Sequence, residues 1–210
     1  MSAEQNGAPV AQPESFEFTP ENLEKAKWHI AKYPAGRQAS AVLPLLDLAQ
    51  RQSGNWLPRA AMDTVARILD MAPIRVYEIG TFYSMFNLRP VGKHFFQICT
   101  TTPCWLRGSD EVVATCRSKL GIDIGETTPD GQFSLTEVEC LGGCVNAPII
   151  QVNDDFYEDL DGASTAALID ALSRGETPKP GSVIKRQGSA PVTGPTTLHV
   201  VKSSGGPDAA

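Results

Sequence analysis

Four of the five cysteines fall in two close pairs. Cys99 and Cys104 bracket Thr100-Thr101-Thr102-Pro103, and Cys140 and Cys144 bracket Leu141-Gly142-Gly143. Each pair stands just past the end of a predicted strand. If those two strands are neighbours in one sheet, both loops leave on the same edge, and four thiolates converge without either loop having to travel. Four thiolates from two loops suit a [2Fe–2S] cluster, two sulfurs per iron. They also suit a tetrahedral structural zinc, whose cysteine pairs are commonly two to four residues apart, so spacing leaves both metals open.

The loop residues add detail. Gly142 and Gly143 permit positive φ and close backbone approach. Backbone N–H groups in such loops can point at cluster sulfurs and tune a reduction potential. Thr100, Thr101 and Thr102 offer hydroxyl donors, while Pro103 removes one N–H.

Other chemistries fit less well. Cys-x-x-Cys, the usual thiol–disulfide motif, is absent. The plant-type ferredoxin run fails because Arg107 stands where its third cysteine belongs. A Rieske centre needs two histidines beside the cysteines. His29 and His199 are far away in sequence, and His94 has the opposite strand parity to Cys99, so His94 reads as a satisfied structural histidine. Cys116 sits on the apolar face of a helix and reads as a buried free thiol. No Cys–His arrangement, phosphate loop or dinucleotide fingerprint stands out, so this chain has no evident flavin or nicotinamide site of its own.

The elements that must position the cysteines follow from local pattern. Residues 94–99 (His-Phe-Phe-Gln-Ile-Cys) read as a strand. Gly108-Ser109-Asp110-Glu111 opens a helix that runs to Leu120 and stops at Gly121. Residues 133–140 read as a second strand whose alternation slips near Thr136 and Glu137, so a bulge is expected there. Residues 148–152 are a third strand, Asn153-Asp154-Asp155 a turn, and Phe156-Tyr157 the start of a fourth. A last helix uses Ala167, Leu168, Ala171 and Leu172 and ends at Gly175. The order β-α-β-β-β-α, with the first two strands parallel through a right-handed crossover and the last two a hairpin, suits a thioredoxin-like α/β sandwich.

Upstream, Thr19-Pro20 begins a first helix to about Tyr33, a second spans residues 40–51 with Pro44 in its first turn, a third starts at Leu57-Pro58, and Pro73 opens a fourth. The expected organisation is a flexible lead (1–20), a helical bundle (21–90), a thioredoxin-like domain (91–175) and a Gly/Pro-rich tail (176–210). From residue 177 onward Lys179, Lys185, Arg186 and Lys202 stand against Asp208 alone, and beyond the short apolar run 198–201 no helical or strand pattern persists.

Composition narrows the function classes. With 210 residues, a net charge of −6 and 41% apolar residues, the chain is an ordinary soluble protein rather than a general binder of nucleic acid or anionic membrane. The longest apolar run, residues 41–46, is far too short to span a bilayer. The first twenty residues lack Lys, Arg and an apolar core but carry Glu4, Glu14 and Glu17, which reads as a cytoplasmic chain or one whose address has been removed.

The residues together resemble a known family. Cys99-Thr-Thr-Thr-Pro-Cys104-Trp-Leu-Arg-Gly-Ser109 and Glu139-Cys140-Leu-Gly-Gly-Cys144-Val-Asn-Ala-Pro148 are similar to the thioredoxin-like [2Fe–2S] subunit of respiratory complex I, the NuoE-type subunit of NADH:ubiquinone oxidoreductase. Trp56-Leu57-Pro58 and Val76-Tyr77-Glu78-Ile79-Gly80-Thr81-Phe82-Tyr83 resemble its helical part, so the likeness spans roughly residues 20–175.

The resemblance implies an N-terminal helical bundle followed by a thioredoxin-like [2Fe–2S] ferredoxin domain. Cys99, Cys104, Cys140 and Cys144 would be the ligands of one binuclear cluster. FMN and NADH would be bound by a partner subunit, and this chain would exchange single electrons with that FMN, without an active site of its own. It would sit with other peripheral-arm subunits on the cytoplasmic face of the inner membrane, or on the matrix side if mitochondrial. The family also includes subunits of soluble NAD-linked hydrogenases and formate dehydrogenases. A zinc-stapled interaction module stays open beside it, as does, more weakly, a thiol-redox enzyme. Glu137 and Glu139 would lower a cluster potential and Arg107 raise it, around the low region of about −400 mV or above.

Overall fold

The computed structural model describes residues 10–194, so the apolar run 198–201 and His199 lie outside the described residues. The chain divides into two compact units: residues up to 94 with 127–134, and residues 95–126 with 135 onward.

The first unit is built on four helices. Helix α1 (Pro20–Ala31) starts where expected: the Thr19 hydroxyl accepts from the Asn22 N–H at 3.3 Å, and Pro20 needs no donor at the first helical position. A 3-10 turn (Gln38–Ala41) leads into α2 (Val42–Gln52), which places Pro44 in the first turn, where its missing N–H breaks no helical bond. Helices α3 (Arg59–Leu69) and α4 (Pro73–Phe82) complete the set. Leu45, Leu46, Leu57, Val65 and Val76 are fully buried in one shared core. Burying each contributes about 1.5–3 kcal/mol. The segment before α1, read from the sequence as a flexible lead, lies against these helices within the described residues. Phe18 is buried, the Thr64 hydroxyl donates to Phe16 O, and the Arg59 N–H donates to Gln12 Oε1.

The same unit holds the approach to the strands. Lys93 and His94 N–H donate to Gly131 O and Gln132 O, with residue numbers rising together as in parallel neighbours. Ser134 is buried out of alternation because its hydroxyl accepts from the Gly92 N–H at 2.6 Å and pairs with the Thr127 hydroxyl at 2.6 Å. The hydrophobic pattern itself runs unbroken through Phe133-Ser134-Leu135; past Leu135, Thr136 and Val138 are half-buried and Glu137 is exposed, so the alternation changes phase near Thr136. His94 differs from the satisfied histidine expected: its ring rests on Phe133, and the buried Nε2 finds no hydrogen-bond partner among the described residues.

Most of the sheet lies in the second unit. Its strands are β1 (His94–Cys99), β2 (Phe133–Val138), β3 (Ile150–Val152), β4 (Asp155–Glu158) and β5 (Gly181–Ser182), in the order β2-β1-β3-β4-β5. Strand β1 has the bounds read from sequence, and β3–β4 is the expected antiparallel hairpin. Strand β3 also pairs antiparallel with β1, in the register Phe96↔Val152, Gln97↔Gln151, Ile98↔Ile150. Helix α5 (Thr102–Leu106) follows β1, α6 (Ser109–Leu120) ends at Gly121 in the left-handed region, and α7 (Gly162–Ser173) starts at a capping box made by Asp161 and Ser164. Helices α6 and α7 lie against each other, with Lys119 bound to Asp170 at 2.6 Å. The peptide bond Ala147–Pro148 is cis.

A Cβ on Gly92 would sit 2.7 Å from the Phe133 carbonyl carbon and 2.8 Å from its nitrogen, both backbone atoms. Gly92→Ala should therefore cost about 1–3 kcal/mol in denaturant unfolding, and an unchanged midpoint would show that the strand yields. Burial, with the nearby Lys93 charge adding to it, holds the His94 pKa below its ordinary value. The unfolded chain then binds more protons than the folded one, so stability is full above the unfolded value of about 6.5 and falls as the pH drops through it. His94→Phe should flatten that acid slope; an identical slope in the variant would show that other groups carry it.

Candidate metal centre

The centre is built on the carboxyl ends of β1 and β2. Cys99 is the last residue of β1, and its N–H donates to Ile149 O at 3.2 Å, one rung beyond the β1–β3 ladder. Cys104 lies inside α5, a helical turn read from sequence as loop. Pro103 occupies its start, so the missing N–H costs nothing there. Cys140 follows β2 by two residues, and Cys144 opens a 3-10 turn (Cys144–Asn146). Gly142 carries φ +84°, a backbone conformation that L side chains rarely adopt, and a Cβ on Gly143 would run into Ile149 Cδ1.

The four sulfurs come together. Cys140 Sγ and Cys144 Sγ are 3.3 Å apart. Two thiolates on one tetrahedral metal stand about 3.8 Å apart at metal–sulfur bonds of about 2.3 Å, so this pair needs little adjustment. Cys99 and Cys104 form the second hydrogen-bonded pair. The two loops also interlock: Leu141 N–H, from the second loop, donates to the Cys99 sulfur, and the Thr101 hydroxyl, from the first, reaches the Cys140 sulfur. Ile149 N–H serves Cys104, and Gly142 N–H donates to Cys140 Sγ at 3.4 Å.

These contacts set the thiol chemistry. Burial pushes Cys99 up, but the Thr101 hydroxyl and the Thr101 and Leu141 amides together hold it below the ordinary thiol value. Burial, then hydrogen bonding to Cys99, pushes Cys104 up to about 12. The Gly142 N–H lowers Cys140, and its hydrogen bond to Cys140 raises Cys144. Each pair thus holds one readily ionised thiol and one reluctant thiol. Full ionisation of four sulfurs this close requires a cation among them, which is the linkage that metal binding supplies.

Cys99, Cys104 and Ala147 form a small buried cluster with half-buried Leu141 against it, while Cys140 and Cys144 are exposed. The centre is therefore dry on one side and open on the other. Around it Trp105, Leu106 and Val145 are all exposed, Val145 at 64%. Thr100 turns away and donates to Glu137. Cys116 is buried apart, and burial alone pushes its thiol up to about 12, as suits an inert core residue. Among the described residues no group of three or more His, Cys, Asp or Glu gathers tightly enough for a single metal ion. Two linked sulfur pairs, a dry side and amide donors at sulfur fit a binuclear cluster better than one tetrahedral ion. The sequence pointed to all four cysteines but not to Leu141 and Ile149, whose contribution is a main-chain N–H that no side chain announces.

Comparison with known proteins agrees with this chemistry. A family described as thioredoxin-like [2Fe–2S] ferredoxin matches residues 26–173. The chain is 54% identical over 183 residues to the mitochondrial NADH dehydrogenase [ubiquinone] flavoprotein 2 of Dictyostelium discoideum, covering 87% of this chain and 74% of that protein. It is 58% identical over 158 residues to an NADH-quinone oxidoreductase subunit of Rickettsia bellii, covering 75% of this chain and 95% of that one. Among solved structures, an NAD+-reducing [NiFe]-hydrogenase shares the fold at a TM-score of 0.55 and 21% identity, over 64% of this chain and 23% of the hydrogenase chain. By the match along most of its length, this chain belongs to the thioredoxin-like [2Fe–2S] ferredoxin family.

Proposed function

We propose that Cys99, Cys104, Cys140 and Cys144 hold one [2Fe–2S] cluster and that this chain is the electron-transfer subunit of an NADH:quinone oxidoreductase. The observation that carries the reading is the grouping of the cysteines at the ends of β1 and β2, with Cys140 Sγ 3.3 Å from Cys144 Sγ, Gly142 N–H on Cys140 Sγ at 3.4 Å and the Thr101 hydroxyl 3.3 Å from Cys99 Sγ. The names of the relatives support the parent complex. In this reading residues 21–90 form a helical bundle, 91–175 the cluster domain and 176–210 a tail. FMN and NADH belong to a partner subunit, other peripheral-arm subunits are neighbours, and the chain faces the cytoplasm or the mitochondrial matrix. Among the described residues no helix is long and apolar enough to cross a membrane, in keeping with a peripheral subunit.

When bound, the cluster supplies one-electron chemistry. The chain's own residues do the rest. Cys99 and Cys104 would supply the two buried ligands of the cluster, and Cys140 and Cys144 the two exposed ones. The amides of Leu141, Gly142 and Ile149 place positive dipoles at three of the sulfurs, which offsets the negative charge gained on reduction and raises the potential. Burial of Cys99 and Cys104 excludes water and works the other way. The exposed Cys140–Cys144 side is the face on which a donor can approach.

Purified protein should contain iron and sulfide in equal amounts and show an EPR signal on reduction, and it should be retained by an FMN-containing partner. A colourless protein carrying zinc would overturn the cluster. Cys144→Ser should lower cluster occupancy or shift the spectrum while far-UV circular dichroism keeps the helical content. A spectrum identical to that of the unsubstituted chain would remove Cys144 from the ligand set.

A further inference from the structure

The tail returns to the centre. Strand β5 pairs parallel with β4, Val183 N–H donates to Glu158 O at 3.1 Å, and the Tyr157 hydroxyl donates to Pro178 O at 3.1 Å. These bonds carry the chain to Arg186, whose Nη2 meets Asp159 Oδ1 at 2.6 Å. Both side chains are buried, at 7% and 4% exposure, whereas pairs such as Arg174–Glu176 and Lys25–Glu21 lie at the surface. The Ser182 hydroxyl donates to the other Asp159 oxygen at 2.6 Å and accepts from the Arg186 N–H at 3.3 Å.

The same group touches the turn that carries Cys144. Arg186 Nη1 donates to Val145 O at 3.4 Å, one residue past Cys144. Asn146, buried in that turn, donates from Nδ2 to Gly188 O at 2.9 Å and to Glu158 Oε2 at 2.6 Å, and Asp159 N–H donates to Asn146 O at 2.7 Å. The turn is thus held by β4 on one side and by the tail on the other. Cys144 itself is exposed and has no core packing to fix it. A guanidinium that is buried, paired and bonded through two of its nitrogens is a rigid anchor, unlike a solvated surface charge.

We propose that residues 177–188 are a strap that locks the second cysteine loop, and that Arg186 is a positioning residue for Cys144. The inference rests on the proposed [2Fe–2S] reading of the four cysteines. Without the anchor, the turn 144–146 would move against the rest of the centre, and a metal held by the exposed Cys140 and Cys144 would become more open to water and chelators. Groups that orient metal ligands typically change metal affinity by about 10–100-fold when lost.

The test is the full-length chain carrying Arg186→Gln, beside the unsubstituted chain and Arg174→Gln as a surface-pair control. Three measurements are read: the rate of iron loss to an excess of a ferrous chelator, the EPR line shape of the reduced cluster, and amide exchange. Arg186→Gln should lose iron about tenfold faster or more, with a broadened EPR signal and faster exchange confined to residues 141–146 and 158–160. Arg174→Gln should match the unsubstituted chain. Wild-type loss rate and line shape in Arg186→Gln would overturn the strap, as would an equal effect of Arg174→Gln. Exchange that quickens throughout β1, β3 and α7 would also overturn it, because Arg186 would then be a general stabiliser. An unsubstituted chain with no cluster at all would sink the reading of the cysteines first, a result distinct from these.

Discussion

Sulfur anions repel one another, and gathering four cysteine sulfurs at one end of a sheet is the constraint to which the rest of the second unit answers. The protein meets it with main-chain dipoles. Leu141, Ile149 and Gly142 each turn an N–H toward a sulfur, and each loop reaches across to the other loop's cysteine. Such donors carry no net charge and no flexible stem, so they act without the entropy loss that a lysine or arginine would bring. In the proposed reading a cation among the thiolates completes the arrangement.

Placement of those dipoles depends on strand register. The β1–β3 ladder fixes Ile149 opposite the end of β1, so its carbonyl holds the Cys99 N–H while its own N–H serves Cys104. A slip of one residue would turn both groups the other way. Gly143 then lets the second loop close over Ile149 without a side chain between, and Gly142 supplies the positive φ of the turn. Burial of Phe96, Ile98, Ile150 and Val152 keeps that ladder in place, so ordinary hydrophobic packing sets the geometry of the sulfurs.

The helical unit stands apart from this chemistry. Its core is aliphatic, charged pairs such as Lys25–Glu21 and Arg51–Asp47 are exposed and screened by solvent, and it contains no cysteine. Its organisation follows from amphipathic stripes and helix-start signals, which is why α1, α3 and α4 begin close to where Thr19-Pro20, Pro58 and Pro73 announce them. The departures have local causes. Pro103 was legible as a lost donor but not as a helix start, because a five-residue helix is too short to show a period. Ser134 is buried out of alternation in β2 because its partners, Gly92 and Thr127, come from other segments.

Local pattern was enough to mark out the four cysteines, the bounds of β1, the stop of α6 at Gly121 and the hairpin of β3 and β4. Each is a property of neighbouring residues: a residue type, a spacing of two or of about four, or a glycine where φ is positive. Folding in three dimensions was needed to settle which amides face which sulfurs, that the sulfurs gather as two linked pairs, and that residues 177–188 fold back onto the turn after Cys144. The tail illustrates the reason. Its glycines, prolines and scattered cations look unstructured because no periodic face is present, yet Arg186 finds a buried carboxylate at Asp159, 27 residues away. Contacts between residues distant in sequence depend on how sheet and turns bring them together, and no local pattern encodes that.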